Sequence, residues 1–135
     1  MLGGQAARVL RMLDGLRAEG EAAVLVHWNL ANDILALARV KAAVAQGRPL
    51  PVALREQRIW GQRERLIERA LPQLSEHRLA RLVEAASVCD GIVKGLKHPR
   101  WPIEPWDALR RLALLTTQAV ARGTAPQPPR LALEG

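Results

Sequence analysis

Apolar side chains recur at three- and four-residue intervals along nearly the whole chain, and no segment shows the two-residue alternation of a half-buried strand. The spacing predicts helices throughout. Gln5 to Arg17 carries Val9, Leu10, Leu13 and Leu16 on one side and stops at Gly20. Glu21 to Ala45 predicts a long helix with two adjoining stripes. Val24, Trp28, Ala31, Leu35 and Ala38 form one, and Leu30, Ile34, Leu37 and Val44 form the other. Together they exceed the ~100° face of a surface helix, so this helix is expected at the centre, wrapped by its neighbours.

Gly47-Arg48-Pro49-Leu50-Pro51 breaks the chain, and a short helix from Pro51 to about Gln57 follows, with proline in its first turn. The next helix is expected from about Arg58 to Leu71, ended by Pro72, with Leu66, Ile67, Ala70 and Leu71 facing inward. Ser75 suits the N-cap of a helix reaching about Gly95, striped by Leu79, Leu82, Ala86, Cys89 and Val93. Pro105 opens the last helix, Glu104 to Arg122, which carries Trp106, Leu109, Leu112, Ala113, Leu115, Thr116 and Val120. The expected architecture is one all-α domain over residues 1–122, of five substantial helices and one short one. A flexible proline-rich tail over residues 123–135 completes it. Its structural core is expected to include Trp28, Leu35, Leu82, Trp106 and Leu109.

Composition agrees with a folded domain: 49% of the residues are hydrophobic and 24% charged. No apolar run approaches the ~20 residues that span a bilayer, so no membrane contact is expected. A single cysteine, Cys89, allows no internal disulfide and suits a reducing cytoplasm. It lies on an apolar stripe, as a small core residue would. With His27, His77 and His98 scattered, no metal site is expected. No serine or cysteine stands at a recognisable spacing from a base, and no glycine loop would cradle a phosphate. Most carboxylates have a basic residue at helical spacing, as Asp90 and Lys94 do. A catalyst is therefore not expected, nor a cofactor.

Charge adds a direction. Twenty basic residues oppose thirteen acidic ones, for a net charge of +7, and all but Lys41, Lys94 and Lys97 of the basic set are arginine. This balance favours contact with a polyanion, nucleic acid first.

Every aromatic residue is a tryptophan: Trp28, Trp60, Trp101 and Trp106. Trp28 and Trp106 fall on apolar stripes and read as core. Trp60 either closes a core stripe or, between Arg58 and Arg63, offers a ring to a base. Trp101 lies in the proline-broken basic loop Lys97-His98-Pro99-Arg100-Trp101-Pro102. Exposing a ring there forfeits roughly 1.5–3 kcal/mol of burial. That loop is either a stacking platform with Lys97 and Arg100 on phosphates, or a plug folded back on the protein.

Three strings occur in order: Arg58-Ile59-Trp60-Gly61-Gln62-Arg63, Asp90-Gly91-Ile92-Val93-Lys94-Gly95 and Trp106-Asp107-Ala108-Leu109. With the opening helix, they resemble the C-terminal domain of the delta subunit of the bacterial DNA polymerase III clamp loader, over roughly Ala6 to Leu115. The resemblance implies a cytoplasmic, non-catalytic collar domain in DNA replication. It would join delta to gamma or tau and delta-prime subunits in a five-membered ring and lie against primed DNA. Trp60 matches the tryptophan of the first string, and Trp101 falls in the loop before the third. The DNA-contact candidates are thus Trp60, Trp101, Arg58, Arg63, Lys97 and Arg100. The sliding clamp would be reached only through N-terminal domains that this chain is expected to lack, its Met1-Leu2-Gly3-Gly4 start suggesting an excised fragment. The alternative is an autonomous basic helical module that binds nucleic acid by itself.

Overall fold

In a computed structural model, residues 2–124 are described and every regular element among them is helical. The long elements are α1 (Leu2–Ala18), α2 (Ala23–Ala45), α4 (Gln62–Ala70), α5 (Glu76–Val93) and α6 (Pro105–Thr124). A short α3 (Leu50–Glu56) follows α2, and a 3-10 turn, Leu71–Gln73, follows α4. Over the described residues the protein is all-α, with five substantial helices and one short one. α6 runs past Gly123 to Thr124. The rest of the expected proline-rich tail lies outside the described residues.

Helix ends follow local chemistry. The Ser75 hydroxyl accepts from the Arg78 N–H at 2.9 Å and caps α5. At α6 the Glu104 carboxylate accepts from the Trp106 and Asp107 N–H groups at 3.1 and 3.0 Å. It thereby satisfies two donors that the helix leaves open and opposes the positive end of the helix dipole. α1, α2, α3 and α5 all end in one motif, in which the residue two beyond the cap donates back to a carbonyl three from the helix end. The pivot of that motif is left-handed. It is Gly20 after α1, Gly47 after α2 and Gly95 after α5, but Arg58 after α3.

α6 is the hub: it packs on α1, α2, α4, α5 and the 3-10 turn, whereas α2 packs chiefly on α5, α3 and α6. The expectation of a fully wrapped α2 is corrected by burial. His27, Ile34, Leu37 and Val40 are buried, with Ala23, Leu30, Ala31 and Val44 packed beside them. Trp28, expected in the core, is 62% exposed, and Val24 and Leu25 are exposed with it. Leu35, also expected in the core, is only half-buried. The reason is His27. Its Nε2 lies 2.8 Å from the Ala86 carbonyl of α5, and that polar anchor turns the Ala23–His27–Leu30–Ile34–Leu37 stripe inward. Trp28, one position on, must then point away from α5.

Leu82 and Leu109 are buried, and Trp106 is half-buried against the same cluster. Leu66 and Leu115, expected to face inward, are exposed. α4 starts at Gln62 rather than near Arg58, because the backbone at Arg58 and Gly61 is left-handed and cannot continue a helix. The helices are cross-tied by Asp14–Arg110 at 2.7 Å between α1 and α6, by Arg17 of α1 and Glu104, just ahead of α6, at 3.8 Å, and by the Lys41 Nζ bond to the Leu71 carbonyl at 3.0 Å.

Candidate nucleic-acid interface

Two surfaces carry the candidate residues. The first is the connection from α3 to α4. Arg58 holds φ 58°, its N–H donating to the Arg55 carbonyl at 2.9 Å, and the Ile59 N–H donates to the Leu54 carbonyl at 2.9 Å. A side chain in the left-handed region costs roughly 1–2 kcal/mol. That conformation sends Ile59 into the core, where it is 2% exposed, and sends the next residue outward. Trp60 is accordingly 66% exposed. Gly61 follows at φ 72°, ψ −142°, a region open essentially to glycine alone, and starts α4. The ring stands on a short backbone bracket with little freedom. Arg58 is exposed beside it, whereas Arg63 is engaged with Asp33 of α2 at 3.1 Å.

The second surface is the loop from α5 to α6. Trp101 is half-buried and packs against the core rather than standing free. The loop is fastened at several points. The Arg100 N–H donates to His98 Nδ1 at 3.2 Å, and the Trp101 N–H donates to the His98 carbonyl at 3.1 Å. From α6, Arg111 Nη1 donates to the Arg100 carbonyl at 2.6 Å while its guanidinium lies over the Trp101 ring, 5.1 Å from the centroid. One face of the ring is thus already covered by a cation.

Trp101 and Arg100 line an open cleft of about 750 Å³ between α5, α6 and the loop. Lys97, expected beside them, is exposed but does not line it. The cleft gathers Arg78 and Arg81 of α5 and Arg111 of α6, which the sequence reading did not single out. Arg78 and Arg81 stand three apart, so a shared helix face was legible. That α6 would bring Arg111 to them was not.

Cys89 is fully buried. Burial first, and the Asp90 carboxylate second, push its thiol up to about 12, so it is a protonated packing residue rather than a nucleophile. Among the described residues there is no group of three or more His, Cys, Asp or Glu placed to hold a metal ion. No described helix is long and apolar enough to cross a membrane.

What the arrangement offers is two aromatic-cationic surfaces on a helical scaffold. Comparison with curated proteins and with solved structures gives no match. A family model, described as the C-terminal domain of the processivity clamp loader gamma complex of DNA polymerase III, matches residues 1–121. With nearly the whole chain covered and the all-helical architecture in agreement, this protein belongs to that clamp-loader C-terminal domain family.

Proposed function

We propose that the chain is the collar domain of a delta subunit, non-catalytic and cytoplasmic. It joins the subunit to gamma or tau and delta-prime neighbours in the ring that loads the sliding clamp on primed DNA. Contact with the sliding clamp itself is assigned to other parts of the subunit. Family membership supplies the clamp-loader setting. The observation that carries the assembly role is the outer face of α2, where Val24, Leu25 and Trp28 are 45%, 55% and 62% exposed in sequence proximity. Val24 and Leu25 lie one helical turn before Trp28, so the three share a face of α2, and large apolar patches left in water mark interfaces.

DNA contact is secondary in this reading. Trp60 on its bracket, with Arg58 beside it, is the ring best placed to stack on a base at the end of the duplex. Arg63 must first leave Asp33 to reach a phosphate. Trp101, Arg100 and Lys97 form a second contact.

The test is association of the isolated chain with gamma or tau collar domains, measured by co-elution and by loss on Trp28→Glu. Firm, Trp28-dependent association is expected. Tight, steeply salt-dependent DNA binding with no affinity for any collar domain would instead favour an autonomous nucleic-acid module.

A further inference from the structure

We infer that two copies of this chain pair through the outer faces of their α2 helices, laid antiparallel about a two-fold axis at the level of Leu30. The inference goes beyond the collar reading. A pair of this kind hides the face that the collar reading gives to a neighbouring subunit, so self-pairing and assembly compete for one surface.

The first argument is spacing. On the side of α2 turned away from the His27 anchor, Leu25, Trp28, Asn32, Leu35 and Arg39 follow one another at steps of three, four, three and four residues. Leu35 is half-buried and the other four are exposed. Steps that average 3.5 residues are the repeat by which one helix seats along another in a coiled coil. α2 packs within the chain chiefly on α5, α3 and α6, and this seam is left over.

The second argument is that the seam complements itself. Glu21, just ahead of the helix, and Arg39, toward its far end, are both exposed, and neither forms an ion pair among the described residues. Lay a second copy antiparallel and Arg39 meets the second copy's Glu21, Leu25 meets its Leu35, and Trp28 meets its Asn32. Each contact occurs twice, as a two-fold interface demands. The leucines cover one another, and the Asn32 amide oxygen can accept from the indole N–H, which needs a partner once buried. A lone Asn in such a seam fixes its alignment at some cost in stability.

Charge also rejects the other occupants. In a parallel pair Glu21 would face Glu21 and Arg39 would face Arg39, and the helix dipoles would lie side by side in the same sense. A foreign helix of a single sign of charge satisfies one end of the seam and is repelled at the other. A second copy supplies both signs in the right order. The seam from Leu25 to Arg39 is only about 21 Å long and one helix wide. That is small beside the ~800 Å² a side of a standard interface, so the pair is expected to form and dissociate with concentration.

The experiment is sedimentation velocity of the 135-residue chain over a concentration series, with co-elution of each variant against gamma or tau collar domains. The substituted side chains are exposed, and thermal melting confirms that the variants fold. A reversible monomer–dimer equilibrium is expected, and Trp28→Glu should abolish it. Glu21→Arg or Arg39→Glu alone should weaken the dimer by roughly ten-fold, because each sets like charges across both ends. The double variant Glu21→Arg/Arg39→Glu should regain the original affinity. Single charge reversals without effect would overturn the antiparallel pair, since only a parallel pair or a contact elsewhere tolerates them. A dimer that survives Trp28→Glu also overturns the inference by placing the contact off α2. A chain that stays monomeric at every concentration yet binds a collar domain through Trp28 overturns self-pairing and leaves the collar reading intact.

Discussion

Arg111 and Trp101 are ten positions apart yet act as one unit, the guanidinium 5.1 Å from the ring centroid with its Nη1 bonded to the carbonyl beside that ring. The pairing makes Trp101 part of the fold as well as part of a surface. Trp101→Ala is therefore expected to destabilise the protein by about 1–3 kcal/mol, between a surface change and a full core deletion. Arg111→Ala should cost about 0.5–1 kcal/mol through the lost cation–π contact. Urea unfolding of both variants and of the double variant measures the coupling, and strictly additive losses would mean that the ring and the guanidinium do not support one another.

Trp28 and Trp60 should behave in the opposite way. Both rings are mostly in water, so replacing either by alanine is expected to change stability by no more than about 0.5 kcal/mol. Trp60→Ala should still weaken binding of primed DNA by an assembled clamp loader by ~1–3 kcal/mol, the worth of one base–aromatic stack. A large fall in melting temperature for Trp28→Ala would place that ring in the core after all.

Arg58 holds a left-handed position that glycine fills at the three matching helix ends. Arg58→Gly should raise stability, by up to about 1 kcal/mol once the greater freedom of glycine in the unfolded chain is offset against the strain removed. The same change should weaken DNA contact if Arg58 touches a phosphate. Gly61→Ala, by contrast, is expected to cost roughly 1–3 kcal/mol, because its φ and ψ are closed to a side chain. Chemical unfolding midpoints separate the two, and a stabilised Gly61→Ala would show that the bracket is not rigid.

Cys89 supplies a pH signature. Its thiol is raised from the ordinary 9.0 to about 12 by burial and by Asp90, so the folded protein holds this proton more tightly than the unfolded chain. Its contribution to stability is complete below about pH 9 and is lost as the pH rises toward 12. Thiol reagents should react at neutral pH only as fast as the domain opens, and Cys89→Ala should flatten the alkaline fall in stability. Rapid labelling of the folded protein would contradict the burial.

Local chemistry was legible from the chain alone. The helical periodicity, the Ser75 cap, the proline at the start of α6 and the glycines at three helix ends each depend on a few consecutive residues, and the structure realises them. So were Ile67, Leu79, Leu82, Cys89 and Leu109, which repeat at helical spacing and are all buried.

Which stripe of α2 faces inward was decided elsewhere. Counting apolar residues put Trp28 in the core and passed over His27, whose bond to the Ala86 carbonyl reaches 59 positions along the chain. A buried polar group is tolerable only where a distant acceptor meets it, so its inward turn appears only once α5 is in place. The candidate interface divides in the same way. The basic loop around Trp101 and the Arg58–Trp60 string could be read as sequence, but the cover on Trp101 and the four arginines around one cleft arise because α6 packs on α5. Side-chain type is a local property. The partner that decides whether a ring is a plug or a platform, or whether an arginine is paired or free, is supplied by tertiary packing.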